Sequence, residues 1–321
     1  MRIFFVLALG LTAWTQYSIA QPYPTRPIRV VVGFAPGGGP DIVARLVSDQ
    51  LGARLGQSVV VDNRAGANGI IGAEIVSKAS PDGYTVLVTS ASFAINPSIY
   101  RKLPFHAVND FTPVTNLASG GGLFLAVNPS LPVKTLAELV AYGKKPGVSL
   151  AYGSAGRGNA THLCAALLNL RAGLDMVHVP YKSAGLGATA LMGNEVQVMC
   201  VTASSSLQYI KAGRMRVIAY NNPTRAAILP DVPTLAEGGV PGTVIDGSWY
   251  GMLAPPHTPA AIVAKLLAEV RSAINDPRVR EKLAATGLEP DGRAPAEFKA
   301  FLENAIKRNA EAVRAAGIEP Q

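Results

Sequence analysis

The sequence predicts an α/β fold of two lobes, joined by crossover strands with a cleft between them. Three observations lead there. Short apolar runs alternate with amphipathic helical runs, the pattern of a parallel sheet covered on both faces. The 321-residue chain is too long for one small core even without its first twenty residues. One local plan of strand, glycine-rich turn and helix opens the chain over residues 28–55 and recurs over 148–170.

The elements follow in order. "IRVVVGF" (28–34) reads as a strand and residues 40–55 as an amphipathic helix. "SVVVDN" (58–63) is the next strand, residues 68–79 the next helix, and "YTVLVTS" (84–90) the third strand. Residues 110–128 break that rhythm: two extended runs flank Gly120-Gly121-Gly122, which suits a crossover into a second lobe. Thr135 and Glu138 fit a capping box, so a helix starts there. Residues 148–170 repeat the opening plan, and 175–181, 196–201 and 215–221 are further strands with helices between. After residues 248–259 the chain reads as helical to its end. Thr258-Pro259 and Asp276-Pro277 each put a cap residue before Pro at a first helical position. The last helix, from Pro295, carries Phe298, Leu302, Ile306 and Val313 at helical spacing and stops at Gly317. The expected division is a signal peptide over 1–20, one lobe from 21–120 plus 250–321, and the other from 121–249.

Residues 1–20 read as that signal peptide. Arg2 precedes an apolar stretch, and Ser18 and Ala20 are small residues suited to a cut after Ala20. The stretch is short for a membrane span, although an uncleaved anchor is the alternative. The mature chain is then exported, soluble and periplasmic. Loss of Arg2 takes the formal charge from +8 to +7. Lys and Arg are scattered without a basic stripe, which argues against nucleic acid. Cys164 and Cys200 could pair in an exported protein or stay buried and free.

The glycine turns match no catalytic or nucleotide motif. "GFAPGGGPD" (33–41) has Pro40-Asp41 where a phosphate loop needs Lys and a hydroxyl, and Ile42 where a dinucleotide fingerprint needs glycine. The second turn, 153–161, misses the same spacing. Around Ser154 the first glycine of a nucleophile elbow is out of place. His106, His162, His178 and His257 are dispersed, so no metal site and no cofactor is expected, and no acid–base pair suggests an enzyme. What remains is a helix N-terminus. Glycines admit a ligand close to the backbone, and free N–H groups and the dipole favour an anion. Asp41 either shares that site or caps its own helix. From the second turn, Ser154, Asn159 and Thr161 offer donors and Arg157 a charge. Tyr181-Lys182 could meet the anion or lie at the surface; Trp249 and Tyr250 could sit at a crossover, with Trp249 favoured for the core.

Taken together, "YPTRPIRVVVGFAPGGGPDIVARL", "LGQSVVVDNRAGANGIIGAE", "SPDGYTVLV", "DMVHVPYKSAG" and "PDVPTLAEGGVPG…SWYGMLAPPHTP" resemble the tripartite tricarboxylate transporter substrate-binding proteins, the Bug or TctC-like family of periplasmic receptors. The resemblance runs from Tyr23 to Pro320. It implies a type II periplasmic-binding-protein fold, capture of a small organic carboxylate in the cleft, no chemical step, and delivery to integral-membrane permease subunits. A signalling partner and, further off, an exported α/β enzyme are the alternatives. A monomer is expected. The first loop matches the family at Phe34, Ala35, Gly37, Gly38, Gly39 and Asp41, and the second at Ser154, Ala155, Gly156, Gly158 and His162. Arg157 and Asn159 depart from it. At "VQVMCVTASSSL" (196–207) Val201 stands where the resemblance implies Asp and Cys200 where it implies an aromatic, so a ligand other than an amino acid is expected. With Ser90, the candidate ligand-binding set is Phe34, Ala35, Gly37, Gly38, Gly39, Asp41, Ser90, Ser154, Ala155, Gly156, Arg157, Asn159, Thr161 and Val201.

Overall fold

The computed structural model describes residues 23–243, 245 and 247–320; the expected leader lies outside them. In chain order the elements are β1 (Ile28–Val32), α1 (Gly39–Leu55), β2 (Val59–Asn63), α2 (Ile70–Ser77), β3 (Thr85–Ser90), α3 (Ser92–Ile99), β4 (Thr112–Gly120), β5 (Leu123–Val127), α4 (Leu136–Gly143), β6 (Ala151–Ser154), α5 (Ala160–Ala172), β7 (Val177–Pro180), α6 (Ala184–Met192), β8 (Val198–Val201), α7 (Ala203–Lys211), β9 (Arg216–Asn221), β10 (Trp249–Ala254), α8 (Ala260–Ile274), α9 (Pro277–Ala284), β11 (Leu288–Pro290) and α10 (Pro295–Ala315).

The strands form two sheets. The first has the order β11-β4-β10-β3-β1-β2 and the second β7-β6-β8-β5-β9. β1 runs parallel to β2 and β3, and β6 parallel to β7 and β8. β10 enters the first sheet antiparallel between β3 and β4, and β5 enters the second antiparallel between β8 and β9. Both sheets are therefore mixed. Side-chain alternation sends successive residues to opposite faces. Val30 and Val32 join one apolar cluster with α1 and α8, and Val31 joins the other with α2, α3 and α10. In the second sheet Leu125, Val198 and Cys200 face α5, while Phe124, Met199 and Val201 face α6 and α7.

The chain passes between sheets where β4 ends in Gly120 and β5 begins at Leu123, and again between β9 and β10. The two passages are hydrogen-bonded to each other, Gly120 N donating to Ser248 O at 2.7 Å and Ser248 N to Gly121 O at 3.0 Å. An apolar seam adds to them: Ile95 and Ile99 of α3 and Val313 of α10 pack into the core of the second sheet. Cys164 on α5 and Cys200 on β8 are paired in a disulfide, with Cα atoms 6.3 Å apart.

The structure corrects three expectations and adds one element. The C-terminal part is not helical throughout, because β11 returns to pair with β4 along Leu288–Pro290. The helix expected over 68–79 starts as a single 3-10 turn, Ala67–Gly69, since Asn68 takes a left-handed conformation at φ 53°. The added element is α3, which follows β3 almost directly and carries Pro97 inside it. Thr258 does not cap α8: its hydroxyl donates to Pro255 O, and Pro259 is the cap residue. At the other expected caps, Thr135 accepts from Glu138 N and Asp276 from Arg278 N.

Candidate functional site

A cavity lies where the carboxyl ends of β1 and β3 face the second sheet. It encloses about 470 Å³ not filled by protein atoms, part of it open to solvent. Its wall shows a simple rule. Gly38, Gly39 and Pro40 begin α1; Ala91 and Ser92 begin α3; Asn159, Ala160 and Thr161 begin α5; Ala184 begins α6; Thr202 precedes α7. Five helices thus present their N-termini to one space. Three of them, α1, α3 and α7, have no side-chain cap bond, so their first N–H groups are not held by their own cap side chains. Phe34, Ser90, Leu123, Ala155, Ser248, Trp249 and Tyr250 complete the wall. Among the described residues no Asp, Glu, Lys, Arg or His lines it.

Each loop is held in place by residues behind it. Asp41, 3 % exposed, accepts from Gly37 N at 3.0 Å, from Arg45 Nε at 3.0 Å and from Asn63 Nδ2 at 2.9 Å. Burial pushes its carboxyl up, but those donors and the Arg45 charge together hold it below its ordinary value. Asp41 pins the first glycine turn while Gly38 and Gly39 meet the cavity. On the other side, Asn159 caps α5 by accepting from Thr161 N at 3.0 Å. Its Nδ2 reaches across the cleft to Ser92 Oγ at 2.7 Å and Asn68 Oδ1 at 3.3 Å. Asn68 in turn donates to Asn96 at 2.7 Å. Thr161 accepts from Ala155 N at 2.9 Å and so closes the second turn.

Of the candidate residues, Phe34, Gly38, Gly39, Ser90, Ala155, Asn159 and Thr161 come together on the cavity wall. Ala35, Gly37, Asp41, Ser154, Gly156, Arg157 and Val201 are not in that wall. Ala35 N instead bonds Lys182 O across the lobes at 3.5 Å, and Gly37 supplies the left-handed residue of its turn at φ 81°. Arg157 is exposed. Val201 is buried against Phe124 and Tyr220 in the core; the next residue, Thr202, is the one that faces the cavity. Tyr181 is half-buried beside Glu195, away from the wall. Trp249 is 2 % exposed and packs edge-on against Phe298 and Phe301.

Sequence reasoning missed Pro40, Ala91, Ser92, Leu123, Ala160, Ala184, Thr202 and Ser248 as wall residues. Most share one signal, a small residue at the start of a helix that follows a strand. "TSAS" (89–92) and "YKSA" (181–184) carry it, though less distinctively than the glycine turns do.

One pair resembles catalytic chemistry. Ser154 Oγ lies 2.7 Å from His178 Nε2, and His178 stacks on His162 with ring centroids 4.0 Å apart. Burial, with Arg157 nearby, lowers His178 to about 4. Burial, His178 and Arg157 lower His162 to about 3. Both rings are neutral near pH 7, but Ser154 is fully buried and outside the cavity wall. The pair therefore shapes the second turn: Ser154 Oγ also donates to Gly156 O, and His162 Nδ1 accepts from Gly158 N at 3.2 Å.

Known proteins share this fold. The model of the tripartite tricarboxylate transporter family receptor matches residues 43–318. The solved structure of the periplasmic binding protein BugD is 33 % identical, with TM-score 0.88, and covers 93 % of this chain and 100 % of its own. Rpa4515 of R. palustris, solved with adipate, is also 33 % identical, with TM-score 0.88 over 94 % of this chain and 100 % of its own. MatC of Rhodopseudomonas palustris, solved with bound malate, is 32 % identical, with TM-score 0.83 over 91 % and 100 %. The matched family is one of solute-binding receptors, and a cavity walled by helix N-termini between two mixed sheets fits that role. The chain belongs to the tripartite tricarboxylate transporter receptor family, as a two-lobed solute-binding receptor.

Proposed function

We propose that this chain captures a small organic carboxylate in the periplasm and delivers it to the permease subunits of a tripartite tricarboxylate-type transporter. The observation that carries this is the convergence of five helix N-termini on a cavity that no charged side chain lines among the described residues. Each N-terminus carries about half a positive charge, and the N–H groups that no cap side chain holds at α1, α3 and α7 suit a carboxylate oxygen. An anion is held there without a counter-ion whose own desolvation would have to be offset. The adipate and malate held by the two relatives belong to the same chemical class. Among the described residues no helix is long and apolar enough to cross a membrane, which suits an exported receptor cleaved near Ala20. The lobes divide at 120/121 and, one residue earlier than the expected 249/250, just before Trp249, where β10 enters the first sheet, and ligand draws them together as far as it binds the closed form better than the open.

Thermal-shift and fluorescence titrations with mono- and dicarboxylates, with and without aromatic rings, test this. Trp14 falls in the leader, so Trp249 on the cavity wall is the sole tryptophan of the exported chain. At a ligand concentration a hundred times Kd, stability should rise by about 2.7 kcal/mol. A panel in which no carboxylate raises the melting temperature or changes Trp249 emission would overturn the reading.

A further inference from the structure

One side of the cavity cannot part. Leu123, Ser248 and Trp249 line it there, at the crossovers, where the chain is continuous between the sheets. A ligand therefore enters where the lobes touch without being joined. Two pairs of loops make that seam. In the first, Ala35 N donates to Lys182 O at 3.5 Å, and a Cβ on Gly185 would stand 3.0 Å from Gly37 O. In the second, a Cβ on Gly156 would stand 3.6 Å from Asn68 Oδ1, and one on Gly158 would stand 2.8 Å from Ile99 Cγ1. The two loops of the second lobe adjoin, since the same Cβ on Gly156 would lie 3.6 Å from Tyr181 O. Each of these loops carries a cation that the cavity wall does not use. Arg157 stands between the two seam glycines, and Lys182 presents the carbonyl that Ala35 meets. Both are exposed, and neither forms an ion pair among the described residues. On the first lobe Asp41 is taken up by Arg45, and Asp62 by Arg29 and Arg64. Glu195, beside Tyr181, offsets part of the Lys182 charge, which leaves Arg157 the stronger of the two.

We propose that Arg157 and Lys182 form a steering pair at the mouth of the cleft: they draw the carboxylate to the seam and speed its capture, and the uncharged cavity behind then holds it. The inference rests on the carboxylate reading above. The division of labour follows from solvation. Cations that stay in water keep their hydration and attract an anion over about 10 Å at 0.1 M salt. They act on the encounter, because charges at a rim change the association rate and its salt dependence more than the lifetime of the complex. Inside, a cation would have to be desolvated along with its partner, and none lines the wall among the described residues. The pair also sorts ligands by charge, since its attraction for a dicarboxylate is twice that for a monocarboxylate at the same distance.

The test separates rates. Capture is followed by stopped-flow Trp249 fluorescence with adipate and with hexanoate, which share a chain length and differ by one charge, or with the tightest-binding such pair of the titration panel. In the wild type the association rate should fall as ionic strength rises from about 0.01 M to about 0.15 M, where the screening length drops from about 30 Å to about 8 Å. The fall should be steeper for the dicarboxylate. At an encounter distance of about 7 Å in water, each cation is worth about threefold toward one carboxylate. At the lower ionic strength Arg157→Gln/Lys182→Gln should therefore slow association about tenfold for the monocarboxylate and more for the dicarboxylate, and flatten the salt dependence. Dissociation should stay within about twofold. Of the single variants, Arg157→Gln should cost more than Lys182→Gln. Both side chains are exposed, so the variants keep the fold and their melting temperatures. Calorimetric Kd values should move by the same factor as the association rate and read the effect if Trp249 emission is silent. Lys282→Gln/Lys307→Gln, on α9 and α10, removes the same charge elsewhere and should leave capture nearly unchanged. Steering is overturned by an association rate that Arg157→Gln/Lys182→Gln leaves unaltered, by a loss that appears in dissociation, or by an equal loss in Lys282→Gln/Lys307→Gln; each leaves the carboxylate reading intact. If no acid binds the wild-type chain at either ionic strength, the carboxylate reading fails and the steering pair falls with it.

Discussion

Asn159 is the residue on which most of the site turns. It caps α5, lines the cavity and bridges to Ser92 and Asn68 on the opposite side. Its carboxamide does this because one end accepts and the other donates. The two roles can be separated. Asn159→Asp keeps an acceptor for Thr161 N, but loses the donor to Ser92 and places a negative charge on the wall. Carboxylate binding should fall at least about tenfold, with the α5 cap retained. Asn159→Ala loses the cap and leaves Ser92 and Asn68 without their donor, so stability should drop by about 2 kcal/mol, read from urea unfolding. Equal binding by Asn159→Asp and wild type would remove the anion argument at this position. Asp41 shows the limit of reading a residue from its motif. It stands in the glycine turn as the sequence suggests, yet the structure turns it toward Arg45 and Asn63, and backbone neighbours take its place on the wall.

At the scale of elements, the disulfide joins two segments that both end at the site. Cys164 lies one turn beyond Thr161 on α5, and Cys200 lies two residues before Thr202 on β8. The bridge spans 36 residues, so removing it as Cys164→Ala/Cys200→Ala should cost about 2–4 kcal/mol, measured as a lower urea midpoint. An unchanged midpoint would show that the bridge adds nothing to the fold. The alternation of apolar runs located β1, β2, β3, β8 and β9 to within about two residues, and the glycine turns located the starts of α1 and α5, because period and punctuation are local properties. β11 was hidden because "LEP" is short and holds its place only by pairing with β4. The pairing of Cys164 with Cys200 stays open in the sequence for the same reason: it depends on α5 lying over β8, which spacing alone does not state. Of the cavity wall, the turns that carry glycine were legible and those that carry serine or threonine were not, since such residues start helices in every kind of protein.

At the scale of the whole molecule, the titrating groups are divided unequally between the lobes, and this predicts how acid acts on the fold. The second sheet holds His162 and His178, lowered to about 3 and about 4. In the unfolded chain a histidine takes up its proton near pH 6.5. Between pH 6.5 and about 4 the unfolded state therefore binds protons that the folded state refuses, and stability falls as pH falls. The slope approaches about 1.4 kcal/mol per pH unit for the buried His162 and is smaller for half-buried His178. The carboxylates of the first sheet behave differently. Asp41 and Asp291 are held below the ordinary range because, although burial raises them, hydrogen bonds from Arg45 and from Arg293 respectively outweigh it. Their contribution is full above the unfolded carboxylate value and is lost only as pH drops through their own lower values. Mild acid should thus loosen the half of the site carried by β6, α5 and β7 before it reaches the half carried by β1 and α1. Urea midpoints between pH 7 and pH 4.5 should fall for the wild type, and the curve should flatten in His162→Gln/His178→Gln. Hydrogen exchange at pH 5, corrected for its intrinsic rate, should show protection lost first around Ser154–Gly158. Equal loss in both lobes, or an unaltered pH curve in the double variant, would mean that the two rings do not govern the acid response.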